Sequence, residues 1–405
     1  MALSTELVGL ADIRAARELL TGVVRMTPME GSRPLKALVG GPVSLKCENL
    51  QRSGSFKIRG AYVRIARLTA AERAGGVVAA SAGNHAQGVA LAADLLGAAA
   101  TVFMPTSAPL PKVEATRAYG ATVHLFGDTV DEALVAAHEF GERTGAVLIH
   151  PFDHPDVIAG QGTVGLEIVE QCPEVRTIVV ATGGGGLISG IAVAAKALRE
   201  GVRIVGVQAA SAAAWPESLA VGRPVPAVSM ATIADGIAVG CPGAVTYAHV
   251  SSLVDDIYTV SEESISRAEL LLLERAKLVV EPAGAAAVAA IVDDPGRFEP
   301  PVVAVLSGGN MDPILLLRVI QYGMAAAGRY LGIRLRIKDR PGSLAGLLAL
   351  LAEVGANVID VEHTRTGPKM YFGEVEVAVS VETRGVEHGV DVIAALRQAG
   401  YPIVS

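Results

Sequence analysis

Aromatic residues make up only 4% of this 405-residue chain, and there are 3 cysteines, Cys47, Cys172 and Cys241. The cysteines lie far apart, without the spacing of metal ligands, so no metal site is expected. An odd, sparse count excludes a disulfide framework and fits a reducing compartment. Charge is also scarce, at 19% of residues with a formal net charge of −7, so the basic footprint of a nucleic-acid binder is missing. The opening Met-Ala-Leu-Ser-Thr-Glu has neither the basic nor the apolar region of a signal peptide. One uncharged run, residues 177–195, is nearly long enough to span a bilayer, but four consecutive glycines interrupt it. It reads as a buried strand, a loop and a helix. The expectation is a soluble, cytoplasmic protein with no nucleic-acid or membrane partner.

What the chain has in quantity is apolar and small. Hydrophobic residues reach 51%, and there are 45 glycines. The length suggests two or three domains, and the composition suits an α/β enzyme with closely packed helices and many strand-to-helix turns.

The pattern along the chain supports that class. A helix is expected over residues 13–20 and a short strand over residues 43–48. From Gly76 the order becomes strand, loop, helix, repeated. Strands are expected at residues 77–80, 100–104 and 122–126, with helices at 86–96, 111–119 and 130–141. Strands at residues 177–182, 204–208 and 302–306 continue the series, and residues 262–276 read as a helix capped by Ser261. Residues 209–233, rich in alanine and proline, resist assignment. Short apolar strands alternating with helices imply parallel sheets covered on both faces, which bind ligands beyond their carboxyl ends. After residue 328 the style changes. Strands at residues 329–338, 357–364, 370–381 and 401–404, with helices at 342–354 and 386–398, give βαββαβ, the ferredoxin-like order.

Four loops carry the candidate chemistry. Lys57 follows Ser53-Gly54-Ser55-Phe56 at a loop-to-helix junction, with a helix expected over residues 58–68. A lysine held there can form a Schiff base with a carbonyl if part of it stays unprotonated. Gly183-Gly184-Gly185-Gly186 joins a strand to a helix starting at Leu187. Converging backbone N–H groups and a helix start suit a phosphate. The dinucleotide fingerprint does not fit, because the sixth position is Ile188 or Ser189. Ser307, in Ser-Gly-Gly-Asn after the strand at 302–306, could hydrogen-bond a buried ring nitrogen. Ser81, Ala82, Gly83, Asn84 and His85 supply donors suited to a carboxylate, His85 being more a structural hydrogen-bonder than a proton carrier. Glu281-Pro282-Ala283-Gly284 reads as a turn and helix start. A reactive lysine, a phosphate cradle and a ring-nitrogen partner are what pyridoxal 5′-phosphate needs, and its amino-acid substrate needs the carboxylate loop.

These stretches, over roughly residues 1–325, resemble the threonine dehydratase (threonine ammonia-lyase) family, which has the tryptophan-synthase-β-like fold type II. The tail, with Asp339-Arg340-Pro341-Gly342-Ser343-Leu344, resembles an ACT regulatory domain. The resemblance implies a catalytic region of two parallel-sheet subdomains over residues 1–325 and a ferredoxin-like ACT domain over residues 329–405. It implies that Lys57 holds the cofactor and takes the substrate Cα proton, Phe56 flanks the ring, and Asn84 bonds the ring hydroxyl. Gly183, Gly184, Gly185, Gly186 and Leu187 would hold the phosphate, and Ser307 would face the pyridine nitrogen. Ser81, Ala82, Gly83, Asn84 and His85 would grip the substrate carboxylate. The implied reaction takes L-threonine to 2-oxobutanoate and ammonia, and L-serine to pyruvate, in a homodimer or homotetramer. An amino-acid effector would bind around Asp339 to Leu344. Ile58 stands where threonine and cysteine synthases of this fold tend to carry aspartate. Ala82 stands where serine racemases tend to carry a second serine, and Gln208 where metal-dependent relatives show glutamate. The alternatives are a serine racemase or serine dehydratase on the same scaffold, or a non-catalytic amino-acid sensor.

Overall fold

The computed structural model describes residues 7–365 and 372–404, and the chain divides into two compact units at Pro313/Ile314. In the first unit ten short strands form in chain order: β1 (Met29–Gly31), β2 (Val43–Lys46), β3 (Val77–Ala80), β4 (Ala100–Met104), β5 (Thr122–Leu125), β6 (Val147–Leu148), β7 (Thr177–Ala181), β8 (Arg203–Ala209), β9 (Asp256–Val260) and β10 (Val302–Val305). They make two sheets, one ordered β1-β2-β10-β7-β8-β9 and the other β5-β4-β3-β6. All pairings are parallel except β1 with β2. The central strands β3, β7 and β10 are buried at every position, as a sheet covered on both faces requires.

The order of the larger sheet builds the site. The last strand, β10, lies between β2 and β7, with Val305 opposite both Lys46 and Val180. The loops after β2, β10 and β7 therefore emerge side by side at one edge. Those loops carry Lys57, Ser307 and the four glycines. The smaller sheet contributes residues 81–83, which follow β3.

Helices seal both faces. Pro282–Asp293 is mostly alanine and valine and is buried along most of its length. Helix Pro155–Gln171, in a stretch the sequence left unassigned, crosses Gly186–Leu198 closely. A Cβ on Gly190 would stand 2.4 Å from the Gly162 nitrogen, so the crossing depends on glycine there. The run at 177–195 is a buried strand, a loop and a helix. Among the described residues no helix is long and apolar enough to cross a membrane.

One helix departs from expectation. Residues 262–276 begin as an α-helix capped by Ser261, whose Oγ accepts from the Ser264 N–H. The helix widens into a π-turn at Leu272–Ala276 and stops at Lys277, which is left-handed at φ 61°.

The second unit opens with helix Pro313–Ala326 and continues as β11 (Tyr330–Lys338), helix Ser343–Glu353, β12 (Asn357–Thr364), β13 (Glu374–Glu382) and helix Val386–Gln398. Its antiparallel sheet is ordered β11-β13-β12. Alternating inward residues such as Ile333, Leu335, Val377 and Val379 meet Leu347, Leu351, Val392 and Leu396 from the helices. The strand expected at residues 370–381 starts at Glu374, and positions 370 and 371 lie outside the described residues. The last expected strand, residues 401–404, is corrected to a single bridge between Leu335 and Ile403. Pro402 has no N–H to extend the ladder, so only its carbonyl takes part, accepting from Arg336 at 3.1 Å.

Candidate active site

Lys57 is the first residue of helix Lys57–Ala66, with Phe56 before it. The approach is anchored on the loop after β10. The Phe56 N–H donates to the Ser307 carbonyl at 3.2 Å and the Gly309 N–H to the Gly54 carbonyl at 2.9 Å. Ser53 is held left-handed at φ 60°, an unusual backbone for a residue with a side chain. The Asn310 amide bonds its carbonyl at 2.7 Å. The Lys57 amine donates to the Pro151 carbonyl at 2.9 Å and lies 5.1 Å from the Phe56 ring centre. Burial lowers its pKa to about 8, against the opposing pull of the Glu281 charge.

The amine opens on a cavity of about 770 Å³. Phe56, Lys57, Ser81, Ala82, Gly83, Asn84, His85, Gly183, Gly184, Gly185, Gly186, Leu187 and Ser307 all line it. The structure thus brings every site residue read from the first 325 positions to one place. Asp339, Arg340, Pro341, Gly342, Ser343 and Leu344 lie in the other unit, at the turn from β11 into helix Ser343–Glu353.

The glycine loop follows β7, and helix Gly186–Leu198 begins within it, with Gly185 at φ 93°. The first N–H groups of a helix have no partner inside it and carry partial positive charge. Side chains are excluded here. A Cβ on Gly184 would stand 2.3 Å from the Phe152 ring, and one on Gly185 would stand 2.6 Å from the Trp215 ring.

Across the cavity, helix Asn84–Leu95 starts from the loop after β3. The Asn84 amide donates to Glu281 Oε1 at 2.5 Å, and its oxygen accepts from Asn310 at 2.7 Å. The His85 ring bonds the Ile149 carbonyl at 2.8 Å, and burial lowers its pKa to about 3. It therefore stays neutral and donates. The Ser81 hydroxyl accepts from the Gly83 N–H at 3.2 Å, which shapes the turn.

Several lining residues carried no sequence signal. His150 accepts from the Asp153 N–H at 2.8 Å and is held neutral by burial, with its pKa lowered to about 4. Lys112 pairs with Asp235 at 2.7 Å. Glu281, read from the sequence as a turn, faces the cavity, and burial raises its pKa to about 7, with Asp235 adding to the rise. Among the described residues no group of three or more His, Cys, Asp or Glu could hold a metal ion.

The residues fit an aldehyde cofactor with an anionic end. One amine has a lowered pKa, a side-chain-free turn sits at a helix start, and a buried serine, Ser307, lies beside it. Residues 20–308 match the family described as pyridoxal-phosphate-dependent enzyme, and residues 332–398 match the ACT domain. The chain belongs to the pyridoxal-phosphate-dependent enzymes. It is 46% identical over 98% of its length to L-threonine ammonia-lyase of Thermotoga maritima, covering 99% of that protein. Threonine deaminase isoform 2 of Solanum lycopersicum is 37% identical with a TM-score of 0.75, the match covering 79% of this chain and 91% of that one. Maize serine racemase is also 37% identical, with a TM-score of 0.73, covering 77% of this chain and 97% of that one.

Proposed function

We propose that this enzyme converts L-threonine to 2-oxobutanoate and ammonia, and L-serine to pyruvate and ammonia. The observation that carries the reading is end-to-end similarity to a threonine ammonia-lyase, joined to a cavity in which Lys57 is the amine of lowered pKa. When bound, pyridoxal phosphate supplies a conjugated carbonyl that takes up an amine and draws electron density from the neighbouring Cα–H bond. Gly183, Gly184, Gly185, Gly186 and Leu187 would hold its anionic end, Ser307 its ring nitrogen, Asn84 its ring hydroxyl, and Phe56 one side of the ring.

Lys57 would hold the cofactor through its amine, and the same amine would take the substrate Cα proton. With a pKa of about 8, about a tenth of its amine is free at pH 7. The loop of Ser81, Ala82, Gly83, Asn84 and His85 would orient the substrate carboxylate at the start of its helix. Ser307 would meet the ring nitrogen with a neutral hydroxyl and not a charged group, which would suit loss of a β-substituent. Lys57→Ala should lose the visible absorbance of the loaded protein and about 10²–10⁴-fold in turnover, the usual share of a positioned general base. An unchanged spectrum and rate would sink the assignment.

Residues 1–325 are proposed as the catalytic domain and residues 329–405 as the regulatory ACT domain. An amino-acid effector would bind at Asp339, Arg340, Pro341, Gly342, Ser343 and Leu344, where left-handed Gly342 opens helix Ser343–Glu353. Removal of residues after Gly328 should abolish the effect of isoleucine or valine, and any effector-like response to threonine beyond simple substrate saturation; retention of every effector response would refute regulation from this unit. Placement in the cytoplasm, as a homodimer or homotetramer, completes the proposal.

The likeness to maize serine racemase keeps racemisation as a second reading. Ala82 lines the cavity with a methyl group, which offers no acid or base on that side. Chiral analysis of L-serine reactions should show pyruvate without D-serine.

A further inference from the structure

We propose that Trp215 is the positioning residue of the glycine cradle, and that its indole N–H, by holding the Gly183 carbonyl, turns the cradle towards the cofactor phosphate. The inference rests on the pyridoxal-phosphate reading of the cavity. Trp215 is the chain's single tryptophan, it is fully buried, and it lies in the stretch of sequence that resisted assignment. It opens helix Trp215–Val221, and its backbone N–H donates to Gln208 Oε1 at 2.9 Å. Gln208 sits near the end of β8, the strand paired with β7. The indole Nε1 donates to the Gly183 carbonyl at 2.6 Å. The same ring closes the space beside Gly185, where a Cβ would stand 2.6 Å from Cζ2. Tyr247 stacks on it with rings 3° from parallel and centres 6.3 Å apart.

The consequence follows from peptide geometry. In a planar trans peptide the C=O of one residue and the N–H of the next point in opposite directions. Drawing the Gly183 carbonyl towards the indole therefore directs the Gly184 N–H away from it. Gly183 and Gly184 both line the cavity, so the bond fixes which face of that peptide an anion meets. Tryptophan suits the task because its ring nitrogen donates and never accepts. Phenylalanine would keep most of the bulk and lose the bond.

The test compares the full-length protein with Trp215→Phe, each freed of cofactor and titrated with pyridoxal phosphate and with pyridoxal, which lacks the phosphate. Affinity for pyridoxal phosphate should fall about tenfold or more in the variant, because the Gly183–Gly184 peptide, no longer held, stops presenting its N–H to the phosphate, a loss on the scale of one hydrogen bond to a charged group. Affinity for pyridoxal should stay within about twofold of the parent, because the effect acts through the phosphate cradle alone. Equal losses for both ligands would mean a merely structural role and would overturn the proposal, as would no loss. Parent protein that binds neither ligand would bring down the cofactor reading itself, and the inference with it. A measurement on the parent alone covers a variant that does not fold. Tryptophan emission should change on adding inorganic phosphate or pyridoxal phosphate, and emission indifferent to both would contradict the inference.

Discussion

Lys46 and Lys57 lie near each other in the chain, and both are taken out of water, yet they do opposite things. The Lys46 side chain has no exposed surface. Its amine donates to Glu167 at 2.6 Å, to Gln171 at 2.8 Å and to the Thr27 carbonyl at 2.9 Å. Three donors meet three acceptors, and nothing is left for chemistry. Lys57 meets the Pro151 carbonyl and otherwise faces the cavity. Burial lowers both pKa values, and in each case a carboxylate opposes it, Glu167 for Lys46 and Glu281 for Lys57. The difference is in partners, not in burial. A buried lysine is structural when its donors are saturated by an ion pair, and reactive when they open on a cavity with the charge weakly matched.

The saturated cluster also supports the reactive one. Arg59, two positions after Lys57 on the same helix, donates to Glu48 and Glu167, and its side chain is fully buried. Burial works against its charge, but the two carboxylates raise its pKa. The sharpest way to break the contrast is Arg59→Met. It leaves Glu48 and Glu167 buried without their shared cation, and the cost should be about 3–5 kcal/mol of folding stability. Urea unfolding checks this, and a loss under about 1 kcal/mol would show that the cluster is not the anchor described.

A smaller effect is expected at Glu281. Its negative charge raises the Lys57 pKa, against burial. Glu281→Gln removes that charge, so the Lys57 amine should lose its proton more readily, and the alkaline-rising limb of the rate profile should move down by roughly one unit. A profile of kcat against pH, which reports the substrate complex in which the Lys57 amine is free, decides it, and a shift to higher pH would contradict the coupling.

Glu269 gives the smallest effect, and it sharpens the comparison from the acid side. It is buried, with both oxygens lacking a hydrogen-bond partner among the described residues. Burial, with Glu281 nearby, raises its pKa to about 9. A carboxyl whose folded pKa is raised favours folding below its unfolded pKa of about 4.5 and loses that contribution as pH climbs through about 9. Glu269→Gln should therefore match the parent in Tm near pH 4.5 and exceed it by a few degrees at pH 8. A Tm advantage that shrinks with rising pH would reverse the assigned sign.

Much of this arrangement is legible in the sequence. Buried parallel strands are continuous apolar runs, so Val77–Ala80 and Ala100–Met104 could be read to the residue. The loops were legible because glycine, serine and lysine at strand ends are costly unless the chain uses them. What could not be read is long-range. Nothing in residues 302–305 says that β10 inserts between β2 and β7, although that insertion puts Ser307 beside Lys57. Glu281 does precede a helix start, as its sequence says, at the N-cap of Pro282–Asp293, but its place in the cavity could not be read, because that depends on the Asn84 amide, far away in sequence. The glycines of helix Pro155–Gln171 hid a helix whose close crossings require them. Past the end of β8, residues 209–233 hold only a 3-10 turn, Ala210–Ala212, and one short helix, Trp215–Val221, too brief to show a period, and Trp215 reaches back to the glycine loop. The tail's last segment, Tyr-Pro-Ile-Val, is apolar like a short strand, but Pro402 removes a donor the ladder would need.

The measurement that bears most directly on the account is hydride reduction of the cofactor-loaded protein, followed by peptide mass mapping. The account predicts one pyridoxyl-modified lysine, Lys57, with Lys46 unmodified because its donors are already taken. Modification at Lys46 or Lys112, or at no lysine, would contradict it.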